Sequence, residues 1–126
     1  MTNPIILSKG IYQLIKSHLK QKNQLSDFNK KKLEMEIKSA KIVPGKEMPE
    51  DVVSINTNVQ VKDIETENEF AFDLVSPGEA KVKNNKFSAL SDIGLALIGY
   101  RVGEEVHWEM PDGLKRFRIE QVSLMK

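Results

Sequence analysis

The chain has 126 residues, 40% of them hydrophobic and 29% charged, with 19 Lys and Arg against 18 Asp and Glu. That is one domain's worth of globular sequence, and it excludes wholesale disorder and a membrane span, the longest apolar run being Leu95-Ala96-Leu97-Ile98. With no cysteine, disulfides, thiol catalysis and thiolate metal sites are excluded too. Met1 to Gly10 holds only Ile5-Ile6-Leu7 as an apolar core, too little for a signal peptide, so the expected compartment is the cytoplasm.

The net charge of +1 conceals an asymmetry. Residues 1–46 hold ten lysines against Asp27, Glu34 and Glu36, a balance of +7, whereas residues 47–126 have a balance of −6. The basic part suits nucleic acid or an acidic protein wall, or is a solvated helix surface. Its first element reads as a helix. Ile11, Ile15 and Leu19 fall at helical spacing, with Leu7, Leu14 and His18 beside them and Ser8 as N-cap. Asn23 to Asp27 reads as a turn, and Ser26 or Asp27 caps a second helix carrying Leu33, Ile37 and Ala40. Pro44-Gly45 is expected to end it. Two helices of about 14 residues span roughly 21 Å each and form an antiparallel hairpin. Helices this short are marginal alone, so the hairpin must also lean on the rest of the chain.

After a polar connector, Lys46 to Asp51, the period changes to two. Val53, Ile55, Val59 and Val61 predict a half-buried strand, and Phe70, Phe72 and Leu74 predict its hairpin partner, closed by Pro77-Gly78. Ser91 to Ile98 predicts a short helix ended by Gly99. Val106, Trp108 and Met110 predict a strand, Pro111-Asp112-Gly113 a turn, and Phe117 and Ile119 a last strand. The class is α+β with an antiparallel sheet. Phe70, Phe72, Phe117 and Trp108 are expected in the core.

Catalytic patterns are sparse. His18 lies near an apolar stripe and His107 between Glu105 and Glu109, with no paired-histidine metal spacing. Neighbouring carboxylates such as Glu104-Glu105 point to opposite faces of a strand. Ser91 lacks a nucleophile motif and suits a helix cap. Gly94, Gly99 and Gly103 are too widely spaced for a phosphate loop and read as structural. Lys30-Lys31-Lys32 is a basic cluster on the second helix, suited to nonspecific phosphate contact or simply to solvent.

One stretch is more specific. Phe87-Ser88-Ala89-Leu90-Ser91-Asp92-Ile93-Gly94-Leu95-Ala96-Leu97-Ile98-Gly99 continues through Val102-Gly103-Glu104 to Pro111-Asp112-Gly113. It resembles the C-terminal signature of the bacterial Gre transcript-cleavage factors (GreA/GreB), I-S-x-x-S-P-x-G-x-A-L-x-G, then V-G-D, then P-x-G. His107-Trp108-Glu109-Met110-Pro111, Met48-Pro49-Glu50-Asp51-Val52-Val53 and Leu74-Val75-Ser76-Pro77 are similar to the Rnk branch, the regulators of nucleoside diphosphate kinase.

The resemblance implies a short basic helical hairpin over residues 1–46, a reduced form of the family's coiled coil. Behind it, residues 47–126 would form an FKBP-like C-terminal domain. It implies docking on bacterial RNA polymerase at the secondary-channel rim through Leu90, Ser91, Asp92 and Ile93, with Asp92 in place of the signature's proline. Gre factors place two acids at the coiled-coil tip, where they hold a magnesium ion that activates water for RNA cleavage. Here the tip, with Gln24 and Asp27, offers one carboxylate, and the helices are short. The expected protein is therefore a monomeric, non-enzymatic polymerase regulator that stimulates no cleavage. It needs no metal or cofactor, touches no membrane, and adds at most nonspecific nucleic-acid contact through Lys30, Lys31 and Lys32. The alternatives are cleavage through Asp27 and, by fold analogy alone, a peptidyl-prolyl isomerase.

Overall fold

The structure, a computed structural model, describes residues 4–21 and 25–125. The hairpin begins with a strand, β1 (Ile6–Ser8), which runs directly into helix α1 (Lys9–Lys20). Ser8 caps α1 by accepting the Ile11 N–H at 3.4 Å. Helix α2 (Asp27–Ser39) is capped by Ser26, which accepts the Asn29 N–H at 3.2 Å, so of the two expected caps Ser26 takes the role and Asp27 opens the helix. The chain does not stay helical to Pro44-Gly45. It leaves the helix at Ala40 and forms β2 (Lys41–Val43), which pairs in parallel with β1, Leu7 opposite Ile42. The reason is β-branched Ile42 and Val43 beside a partner strand. This two-stranded strap closes the base of the hairpin.

Five strands make the main sheet, in the order β5-β4-β3-β7-β6. β3 (Thr57–Asp63) and β4 (Glu69–Val75) form the expected antiparallel hairpin. Its turn is held by the Asp63 carboxylate, which accepts the Glu65 and Thr66 N–H groups at 3.0 and 3.3 Å. β3 starts later than the alternation predicts. Asn56 has a φ of 67°, which breaks the strand, and Val53 lies instead in the connecting segment, buried and hydrogen-bonded through its N–H to Tyr100 at 2.9 Å.

β6 (Glu105–Met110) and β7 (Gly113–Leu124) pair around Pro111-Asp112, with Met110 opposite Gly113 at a φ of 130°. β7 also pairs with β3 through a register shift at Gln60/Val61. The expected sheet was wholly antiparallel, but β5 (Lys86–Ser88) adds to β4 in parallel, Leu74 opposite Phe87. Three residues give too little alternation to be read as a strand. Helix α3 (Asp92–Leu97) follows the Ser91 cap and ends before Gly99, as expected.

One apolar cluster spans both parts of the chain. Leu7, Ile11, Ile15 and Leu33 share it with Phe72, Leu74, Trp108 and Ile119. Burying a side chain such as Ile15 or Leu33 contributes about 1.5–3 kcal/mol, so the short helices gain their stability here. Trp108 and Phe72 are fully buried. Phe70 departs from expectation at 38% exposed, because it lies at the open end of β4, stacked on Phe72 and edge-on to Phe117. Gly99, at a φ of 88°, lets the backbone pass Ile5, whose Cβ lies 2.8 Å from where a Cβ on residue 99 would stand.

Candidate functional site

The segment with the specific signature folds into a rigid turn. Ser88 organises it: its hydroxyl accepts the Leu90 N–H at 3.0 Å, and its carbonyl accepts both the Ser91 N–H and the Ser91 hydroxyl, at 3.0 and 2.6 Å. The Ser91 hydroxyl also accepts the Gly94 N–H at 3.2 Å, which makes Ser91 the N-cap of α3. Gly94 lies so close that a Cβ there would stand 2.3 Å from the Ser88 carbonyl oxygen. Its lack of a side chain thus allows α3 to start where it does.

This turn presents the four expected docking residues in three different ways. Leu90 and Ile93 are half-buried, packed against the core, whereas Asp92 is exposed. Ser91 spends its hydroxyl on the cap. Its side chain therefore shapes the surface rather than offering a free donor.

Asp92 lines a cleft of about 360 Å³ together with Ser26, Asn29, Glu109, Met110, Pro111 and Gly113. Three regions far apart in sequence meet there: the start of α3, the start of α2 and the β6–β7 turn. Asp27 follows Ser26 directly and is exposed. The expected tip residue Gln24 lies outside the described residues. Asn29 ties the cleft together. It is 2% exposed, its Nδ2 donates to the Glu109 carbonyl at 2.7 Å, and its Oδ1 accepts the Glu109 N–H at 2.8 Å. Sequence reading missed it. The available signal was an asparagine at the third helical position, where Glu or Gln commonly completes a capping box.

The lysine cluster does not form one surface. Lys30 and Lys31 are exposed, but Lys32 turns towards the sheet. Its Nζ lies 2.7 Å from the Glu36 carboxylate and 2.9 Å from the Tyr100 hydroxyl, above the Tyr100 and Trp108 rings. The side chains of Lys32 and Glu36 are only 19% and 14% exposed. Burial pushes the Glu36 carboxyl above its ordinary value, although the charge and hydrogen bond of Lys32 act the other way. Sequence spacing alone did not separate Lys32 from its neighbours, since its partner Tyr100 lies 68 residues away. Three other lysines, Lys16, Lys20 and Lys38, share a groove between α1 and α2 with Tyr12, Leu19 and Ile37. His107, Glu105 and Glu109 project from β6 into solvent. Among the described residues no helix is long and apolar enough to cross a membrane.

Residues 48–124 match the family model described as "Transcription elongation factor, GreA/GreB, C-term". The chain is 40% identical over 91 residues to transcription elongation factor GreA of Clostridium botulinum, and 38% identical over 87 residues to that of Clostridium acetobutylicum. The matched region is 72% of this chain but 57% of the first relative and, in the second case, 69% and 55%. The chain thus spans little more than half the length of these curated relatives. Among solved structures it is similar to a prokaryotic GreA/GreB factor from Nitrosomonas europaea, at 30% identity and a TM-score of 0.69, covering 97% of this chain and 99% of that one. It shares the fold of Gfh1 from Thermus aquaticus, at 23% identity and a TM-score of 0.54, over 97% of this chain and 99% of that one. The Ser88–Gly99 turn and helix and the β6–β7 turn fall within the region matched by the family model, and the chain belongs to the GreA/GreB family of transcription elongation factors.

Proposed function

We propose that the chain binds bacterial RNA polymerase at the secondary-channel rim through the Leu90–Ile93 turn and the adjoining Asp92 cleft. In this reading it regulates transcription without stimulating transcript cleavage, as the Rnk-like features of its sequence suggest. It is not itself an enzyme, and it acts in the cytoplasm.

The observation that carries the non-cleaving reading is the strap at the base of the hairpin. β1 and β2 pair immediately outside the two helices, so the reach of the hairpin is set internally. With 12 residues, α1 extends about 18 Å from that strap. A cleaving factor must carry two carboxylates to the polymerase centre. The described start of α2 is tied to the sheet through Asn29 and Glu109, and the sequence of the tip offers one carboxylate, Asp27, on the first turn of a capped helix. Occupying the rim without completing a metal site excludes longer factors from the same place.

A pull-down with core RNA polymerase at low salt tests the docking. Recovery of polymerase by the wild-type chain, lost in Ser91→Arg with Asp92→Arg while the circular dichroism spectrum is retained, is the expected result. No recovery by the wild type, or undiminished recovery by the variant, overturns it.

A further inference from the structure

β6 is an outer strand of the main sheet, and strand alternation sends the backbone N–H and C=O groups of Glu105, His107 and Glu109 to its free edge. At Glu109 that edge is closed. The Asn29 side chain makes both hydrogen bonds that a neighbouring strand would make, at 2.7 and 2.8 Å. At His107 and Glu105 no group among the described residues takes the neighbour's place. There α2 stands off from the strand, and a cleft of about 410 Å³ opens between them. Lys32, Met35, Glu36 and Ser39 line its helix side, and Glu105, Val106 and His107 its strand side. Met35 is 71% exposed beside it.

We propose that this cleft is a groove for an extended peptide segment of a partner protein, which adds to β6 as a further strand. The main-chain groups of His107 and Glu105 supply the hydrogen bonds, as in other cases of strand addition. Residues of the peptide that face the helix meet Met35, Val106 and Ile5 and are apolar. The residue opposite Glu105 is Lys or Arg. Glu105 is exposed, and although Arg118 stands opposite it on β7, the Arg118 guanidinium is held by Glu120 at 3.1 Å, so Glu105 has no ion pair within 4.0 Å among the described residues; opposite charges facing each other across strands attract. A second copy of this chain fits less well. Its own β6 presents the same Glu105 and is flanked by the same helix. Its other sheet edge is taken, since Lys81 exchanges two backbone hydrogen bonds with Lys86, at 2.9 and 3.0 Å.

Residue-resolved amide exchange on the full chain tests this, with the blocked peptide acetyl-Thr-Val-Lys-Val-amide in saturating excess as probe. Exchange at His107 and Glu105 is expected to slow by about tenfold or more, with the α3 amides unchanged. A probe with Glu in place of Lys protects less, and Glu105→Lys reverses that preference. Unchanged exchange at His107 and Glu105, protection centred on α3, or equal protection by both probes overturns the proposal. The groove is separate from the Asp92 cleft, so this failure is distinguishable from loss of polymerase docking.

Discussion

The sheet is stabilised by many similar contacts, whereas the helical hairpin reaches it through a few that have no substitute. In the sheet, β3 exchanges hydrogen bonds with β4 on one side and β7 on the other, and its inward side chains Thr57, Val59, Val61 and Asp63 are buried. The hairpin joins through the apolar contacts of Ile11, Ile15 and Leu33, the Asn29–Glu109 pair and the buried Lys32–Glu36–Tyr100 group. The family match and the proposed docking turn lie in the sheet part. The length and chemistry of the hairpin are what separate a cleaving from a non-cleaving reading.

Breaking the docking part without the hairpin has the largest expected effect. Ser91→Arg with Asp92→Arg should weaken polymerase binding by about a hundredfold or more, measured with immobilised core enzyme, because two positive charges replace the Asp92 carboxylate on the proposed contacting surface. Gly94→Ala attacks the same turn from within. A Cβ at 2.3 Å from the Ser88 carbonyl oxygen forces backbone movement, with an expected loss of about 3 kcal/mol in urea unfolding. An unchanged midpoint contradicts the close approach.

Asn29→Ala tests the hairpin side. It leaves the Glu109 N–H and C=O without their partner, at an expected cost of about 1–3 kcal/mol, and the Glu109 amide should then exchange faster. Glu36→Gln is a finer probe. Because burial raises the Glu36 carboxyl above its ordinary value of 4.5, the folded state holds its proton more tightly than the unfolded chain does. The stability this provides is complete below the ordinary value and is lost as pH rises through the raised one. Wild type should therefore lose stability relative to Glu36→Gln as pH rises above the ordinary carboxyl value of 4.5, as read from unfolding midpoints. Asp27→Ala has the smallest effect, within about 0.5 kcal/mol, because Ser26 and not Asp27 supplies the cap.

Period and caps made much of this architecture legible. Alternation located the β3–β4 and β6–β7 hairpins through Val59, Phe72, Val106 and Ile119, and cap residues marked the helix starts at Ser8, at Ser91 and, for the second helix, at Ser26 or Asp27, of which the structure selects Ser26. Short elements were not legible, since three residues of β2 or β5 show no period and take their form from a distant partner strand. The inward turn of Lys32 and the strand mimicry of Asn29 depend on Tyr100 and Glu109, 68 and 80 residues away, and no local pattern encodes them.

The account's central claim is occupancy of the polymerase rim without cleavage. It is tested most directly by adding the chain in excess to stalled transcription complexes that contain a cleaving GreA and measuring the rate of transcript shortening. The account predicts that shortening slows as the chain displaces the longer factor, and equally so with Asp27→Ala. Faster shortening that disappears with Asp27→Ala, or no change at any concentration, contradicts it.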